Sequence, residues 1–135
     1  MSKYKFGNKQ ARAVIADEIR RMIMQNYLVE DTDEDTLYMR YQGFYLQICF
    51  TDQHPLMRFQ FIRNISETES KRACVKLNAL NLKSVLGTHT ISDAGCYAYR
   101  TVHWLEEKMF PVRFFEILQR CADEAARGYS YLCNK

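Results

Sequence analysis

Polar and apolar residues change period several times along the chain, and the changes divide it into elements. From Ala11 to about Tyr27, the apolar residues Ala11, Ile15, Ile19, Met22 and Ile23 recur at helical spacing, with Asp17, Glu18, Arg20, Arg21 and Gln25 on the other side. This spacing predicts an amphipathic helix with one buried face. The acidic run Glu30-Asp31-Thr32-Asp33-Glu34-Asp35 follows and reads as a solvated turn that ends it. The period then falls to two. Leu37, Met39 and Tyr41 alternate with Tyr38, Arg40 and Gln42, and Phe44, Leu46, Ile48 and Phe50 alternate with Tyr45, Gln47, Cys49 and Thr51. Beyond the turn signal Asp52-Gln53-His54-Pro55, Met57, Phe59 and Phe61 alternate with Arg58, Gln60 and Ile62. Short connections join these runs, which predicts an antiparallel meander buried on one face.

Ser66-Glu67-Thr68-Glu69 fits a capping box and opens a second helix, with Ala73, Leu77 and Leu80 along one stripe and its end near Asn81. Thr88 to Ile91 and Cys96 to Trp104, separated by Asp93 and Gly95, read as a second hairpin rich in aromatic and β-branched residues. Pro111 suits the first turn of a last helix whose apolar face is Phe114, Leu118, Cys121, Ala122 and Ala125, and which Gly128 is expected to end or fray. The predicted order is α-β-β-β-α-β-β-α. Strands joined by tight turns must be antiparallel, so the fold class is α+β, an antiparallel sheet packed against helices. No repeat or linker interrupts the pattern, so residues 1–135 are expected to form a single domain, with 1–9 frayed.

Composition changes this picture little. The chain has 135 residues, of which 47% are apolar and 26% charged, enough for a core without disulfide or metal staples. The net charge of +3 is too small and too scattered for a nucleic-acid footprint. The apolar clusters are too short for a secretory leader or a membrane span. The five cysteines, Cys49, Cys74, Cys96, Cys121 and Cys133, form no CxxC pair, and reduced thiols in a cytoplasmic protein are expected.

The residues that carry chemistry are few. Asp31, Asp33 and Asp35 alternate like calcium ligands, but Thr36 and Tyr41 occupy the positions that an EF-hand loop gives to Gly and Glu. His54, His89 and His103 show no metal-ligand spacing, although His89 and His103 fall in one hairpin and could face each other. A Cys/His pair such as Cys96 with His103 has the residue types of a nucleophile and its base, but nothing supplies the orienting third group. The carboxylate pairs Asp17-Glu18, Glu106-Glu107 and Asp123-Glu124 read as solvated helix faces, and the glycines form no phosphate-binding motif. No catalytic residue, metal or cofactor is assigned.

The meander is more informative. Its polar face would carry Tyr38, Arg40, Tyr45, Gln47, Arg58 and Gln60, the tyrosine-plus-arginine composition of protein-interface hot spots. Such a face also suits base stacking, but the βαββαβ order and strand signature of an RNA-recognition motif are absent. Tyr38, Arg40, Tyr45, Gln47 and Arg58 are therefore the candidate partner-binding residues, and the partner is expected to be a protein. The alternative is a small-ligand sensor with a pocket between the sheet and the last helix, near Trp104 and Phe115.

Three local features carry a family resemblance. The second helix closes on Leu77-Asn78-Ala79-Leu80-Asn81, the turn Ser92-Asp93-Ala94-Gly95 leads into Tyr97-Ala98-Tyr99-Arg100, and Phe114-Phe115-Glu116-Ile117-Leu118 opens the closing helix. With the element order, these resemble the type III secretion chaperone-like fold and, within it, the YbjN family of bacterial proteins. The resemblance implies a small cytoplasmic homodimer that holds partner segments on apolar surface. It carries over no catalytic residue and no cofactor. Chaperones of this kind are typically acidic, whereas this chain is mildly basic.

Overall fold

The computed structural model describes residues 9–26, 29–33, 35–50, 56–65, 67–92, 94–104 and 112–133. Its elements are α1 (Lys9–Asn26), β1 (Val29–Thr32), β2 (Thr36–Tyr41), β3 (Phe44–Phe50), β4 (Leu56–Asn64), α2 (Glu67–Lys83), β5 (Thr88–Ile91), β6 (Cys96–Trp104) and α3 (Val112–Cys133). The six strands form one antiparallel sheet in the order β1-β2-β3-β4-β6-β5. The expected meander is β2-β3-β4 and the expected second hairpin is β5-β6. The turn at Asp52 to Pro55, the cap at Ser66, Glu106-Glu107 and Pro111 lie outside the described residues.

The predicted order stands with one strand added ahead of the meander. Half of the acidic run is not a turn: Val29–Thr32 pairs antiparallel with β2, with a bulge between Val29 and Asp31. Edge position is the physical reason. A short, charged, bulged strand is tolerated where one of its sides meets water, and those features discourage further pairing. The reversal itself is confined to Asp33–Thr36, where each of the two residues donates its N–H to the other's carbonyl.

Alternation decides what the sheet buries. Leu37, Met39 and Tyr41 of β2, Phe44, Leu46, Ile48 and Phe50 of β3, and Met57, Phe59 and Phe61 of β4 are all buried, as their period predicts. Tyr97, Tyr99 and Thr101 of β6 and His89 of β5 extend the same face. Ile19 and Ile23 of α1, Ala73 of α2, and Phe114, Leu118, Cys121, Ala122, Ala125 and Leu132 of α3 complete one core. Aromatic rings meet there edge to face, with Phe44 on Phe61 and Phe59 on Phe114 both at 5.9 Å. Each such ring, fully buried, contributes roughly 2–3 kcal/mol by transfer from water.

The β2–β3 connection is a two-residue turn at Gln42 (φ 51°) and Gly43 (φ 86°), both left-handed, as the twist of a tight hairpin requires. Glycine is at home there and glutamine is not. Gln42 is held by a reciprocal amide pair with Gln119 of α3, Nε2 to Oε1 at 2.6 Å and the return bond at 3.1 Å. Gln119 Oε1 also accepts from Tyr41 Oη at 3.0 Å, so the turn is fastened to the helix above it.

Candidate functional site

The other face of the sheet is formed by the alternate positions, and the strand register places them in rows. One row runs Arg40, Tyr45, Ile62, Ala98 and Thr90; the next runs Tyr38, Gln47, Gln60, Arg100 and Thr88. Cys49, Arg58 and Val102 follow, and then Leu56 beside Trp104. The five candidate partner-binding residues thus lie on one face of three adjacent strands. The helix residues buried in the core belong to the opposite side, with Phe50, Phe59 and Phe61. The open face is ordered by its own contacts. The Arg40 guanidinium lies 5.9 Å from the Tyr45 ring and 3.2 Å from the Glu30 carboxylate, and Arg100 donates twice to Gln60 Oε1. At its far corner Val102 and Trp104 are about half exposed, at 51% and 50%.

Trp104 therefore lies on the open face, while Phe115 sits on α3 and packs against the core from the covered side. Among the described residues, a cavity against α3 lies at a different place. It occupies about 310 Å³ and is lined by Leu80, Lys83, Ser84, Val85, His89, Glu124, Arg127, Gly128 and Tyr131.

A buried carboxylate builds this second site. Glu124, read from sequence as half of a solvated pair with Asp123, is only 8% exposed, whereas Asp123 is exposed. It sits one turn after Cys121 and one turn before Gly128, so it shares their inward edge of α3. Its Oε1 accepts from Ser84 Oγ at 3.0 Å, Leu86 N at 2.9 Å, Gly87 N at 3.1 Å and the Tyr99 hydroxyl; its Oε2 accepts from Val85 N at 3.0 Å. Burial alone would raise its pKa. The hydrogen bonds from Tyr99, Val85, Leu86 and Ser84 outweigh that and hold it down to about 2. Burial, reinforced by the same carboxylate, pushes the Tyr99 hydroxyl upward.

His89 lies beneath the cavity and is satisfied, which agrees with reading it as a core histidine. Its Nδ1 is 2.6 Å from Tyr97 Oη and its Nε2 is 3.3 Å from Ser84 Oγ. The Ser84 proton has two acceptors, Gly87 O at 2.5 Å and Glu124 Oε1 at 3.0 Å, and either choice leaves an Oγ lone pair toward the imidazole, so these contacts favour the tautomer with hydrogen on Nε2 and with Nδ1 accepting from Tyr97. Burial lowers the His89 pKa, opposed by the Glu124 charge, so the ring is neutral near pH 7. Asn81 fastens the main chain at the same point: its side-chain amide donates to His89 O at 2.9 Å and accepts from His89 N at 2.8 Å. The edge of β5 is thereby blunted.

Two glycines make the close packing possible. Gly128 does not end α3, which continues to Cys133. A Cβ at Gly128 would stand 2.4 Å from His89 Cε1 and 2.9 Å from Tyr97 Oη. At Gly87 a Cβ would stand 2.4 Å from the Arg100 carbonyl oxygen. The residue that reads as a helix stop is the gap into which the imidazole fits.

This arrangement gives no catalytic triad. In Ser84, His89 and Glu124 the carboxylate bonds the serine and not the imidazole, and His89 is buried. The Cys96–His103 pairing is excluded by alternation. The two residues project to opposite faces of β6, and seven residue steps of strand set them about 23 Å apart. His89 and His103 do not face each other either, since their strand partners are Tyr99 and Met57. His103 Nε2 lies 3.5 Å from Cys121 Sγ and 2.8 Å from Thr101 Oγ1. Burial pushes the Cys121 thiol up to about 11, despite a hydrogen bond to Thr101, and lowers His103. Both groups are neutral near pH 7, the opposite of an activated thiolate. Among the described residues no group of three or more His, Cys, Asp or Glu side chains is placed to hold a metal ion, and no helix is long and apolar enough to cross a membrane.

No protein-family model and no curated protein sequence matches the chain. Solved structures do. The chain is similar to YbjN from E. coli, a putative transcription regulator, with a TM-score of 0.66 and 10% identity over 87% of each chain. It is similar to the Yersinia pestis type III secretion chaperone SycH, solved in complex with a stable fragment of YscM2, with a TM-score of 0.58 and 9% identity over 86% of this chain and 98% of that one. The structure of the HopA1-SchA chaperone-effector complex matches at 0.58 and 12% identity, over 93% and 94% of the two chains. At these identities the likeness is one of fold. The chain has the type III secretion chaperone-like α+β fold, as its element order and local motifs lead one to expect.

Proposed function

We propose that this chain is a non-enzymatic, cytoplasmic bacterial protein-binding module of the chaperone or adaptor type, acting as a homodimer, and that the open face of its sheet holds the partner. The observation that carries this reading is the one-sided sheet. Tyr38, Arg40, Tyr45, Gln47 and Arg58 lie in register on a face that no described helix covers, and the face ends in half-exposed Val102 and Trp104. A hollow of about 440 Å³, lined by Arg40, Gly43, Tyr45, Ile62, Arg63 and Asn64, offers the Tyr45 ring and the Arg40 guanidinium to a partner side chain, while the Arg63 guanidinium lies against the Tyr129 and Phe44 rings of the covered side. Tyrosine and arginine carry affinity in such settings because they bury much area at little entropic cost. The fold supports the reading: two of the similar structures were solved as chaperones with protein partners.

The test is capture of partners from bacterial cytoplasm by the wild type and by the Tyr38→Ala/Tyr45→Ala double variant. Trp104 is the sole tryptophan, so its emission reports directly on occupancy of the face. The reading requires that the double variant keep its circular dichroism, lose the stoichiometric partner, and lose the blue shift the partner induces. Equal capture by a folded variant would eliminate this face. Light scattering tests the dimer: a monomer mass throughout the micromolar range would remove that part.

A further inference from the structure

The cavity between α2 and α3 has a polarity unlike that of the open sheet face. Its inner polar groups are already satisfied. Glu124 lies within hydrogen-bond distance of five donors, the Ser84 hydroxyl has Gly87 O and Glu124 as acceptors, and His89 is engaged by Tyr97 and Ser84. Its walls are apolar, from Leu80, Val85, the Cα of Gly128 and Tyr131. Val85 is 84% exposed and Tyr131 42%, so both present apolar surface to water at the entrance. Two cations remain, Lys83 at the end of α2 and Arg127 on α3. Both line the cavity, both are exposed, and neither makes an ion pair among the described residues. The two cations outweigh the single, fully hydrogen-bonded Glu124 anion.

We infer that this cavity binds a small amphipathic carboxylate, an apolar body ending in one carboxyl group. Its volume of about 310 Å³ lies at the lower limit for small-molecule sites, which selects a short chain or a single ring. Burial against Leu80, Val85 and Tyr131 supplies affinity, and Lys83 and Arg127 on the cavity lining select the negative head group. The floor is rigid before binding. Glu124 fixes the loop 84–87, and the His89–Gly128 contact fixes strand against helix, so little ordering is left for the ligand to impose. This site is distinct from the sheet face and does not depend on its role.

Sodium octanoate is the probe, titrated into the full chain by calorimetry and followed by amide chemical shifts, with octanol and acetate as controls. Saturable one-to-one binding of octanoate is expected, with the largest shifts at Leu80, Lys83, Val85, Gly128 and Tyr131. Octanol should bind at least tenfold more weakly, and acetate should not bind in the same range. The Lys83→Gln/Arg127→Gln double variant should weaken octanoate at least tenfold with an unchanged melting temperature, both residues being exposed. Val85→Glu should weaken it similarly, through repulsion at the entrance. The proposal is overturned by no octanoate binding at millimolar concentration, by equal binding of octanol, or by undiminished binding to the folded double variant. Shifts confined to the open sheet face, or self-association that protects Val85 and Tyr131 without added acid, would overturn it as well.

Discussion

Replacing Glu124 by glutamine is expected to remove a large share of the stability of this chain, and the loss should depend on pH in a defined way. The carboxylate accepts five hydrogen bonds, three of them from consecutive main-chain N–H groups, and glutamine can return only one neutral oxygen to that cluster. Its NH₂ group would face donors where an acceptor is required. The size of the effect follows from linkage. A carboxyl whose pKa falls from 4.5 to about 2 on folding contributes about 3 kcal/mol once both states are ionised. With an unfolding entropy of about 2 cal/mol/K per residue, this corresponds to a melting point lower by about 10 °C. The sign is that of a depressed acid: the contribution is full above the unfolded value of 4.5 and is lost as pH falls through the folded value of about 2. Scanning calorimetry of the wild type and Glu124→Gln from pH 7 to pH 2 should show the gap closing as the wild-type carboxylate is protonated. A melting point within 2 °C of wild type at pH 7, or a gap of constant size over the whole range, would refute the argument that the charge fastens the loop.

Gly128→Ala normally favours a helix by up to about 1 kcal/mol. Here it should destabilise by roughly 1–3 kcal/mol, because the methyl group meets His89 Cε1 at 2.4 Å, and a denaturant midpoint at or above wild type would contradict that contact. His89 is held neutral by burial, so its contribution is full above about 6.5 and declines as pH falls toward its lowered folded value; an imidazole resonance titrating in the folded chain at or above 6.5 would remove the claim. Timed alkylation by iodoacetamide followed by peptide mass analysis should find exposed Cys74 modified early and Cys121, with its thiol near 11, last; equal rates would show that the Cys121–His103 contact activates the thiol after all.

The covered face of β2, β3 and β4 was legible residue by residue because period-two alternation is a local signal, and one-sided burial turns it directly into structure. The composition of the open face was legible for the same reason. The extra strand at Val29–Thr32 was not, because an edge strand leaves no apolar signature and its acidic residues look like those of a turn. Gly128 was misread because glycine near the end of an apolar stripe signals a helix stop, and only the neighbouring strand shows that room for His89 is the actual requirement. Glu124 was grouped with Asp123 although the two project in different directions. Its spacing from Cys121 and Gly128 marks it as inward, a signal present in the sequence and outweighed by its charge.

What periodicity cannot give is the identity of the group across the core. The donors to Glu124 lie at Ser84, Val85, Leu86, Gly87 and Tyr99, between 25 and 40 residues away in the chain. No local pattern couples them. Yet these bonds bear on the surface that the pattern did reveal. The loop 84–87 leads into β5, which among the described strands pairs with β6, and β6 carries Arg100, Val102 and Trp104 outward on the open face. On the covered side the same two strands are gripped by Asn81 at His89, by Glu124 at Tyr99 and by Gly128 against His89. A strand shows alternate side chains to opposite faces, so clamping His89 and Tyr99 also fixes their neighbours Thr88 and Arg100. The far half of the open face therefore owes its geometry to a polar cluster on the other side of the sheet.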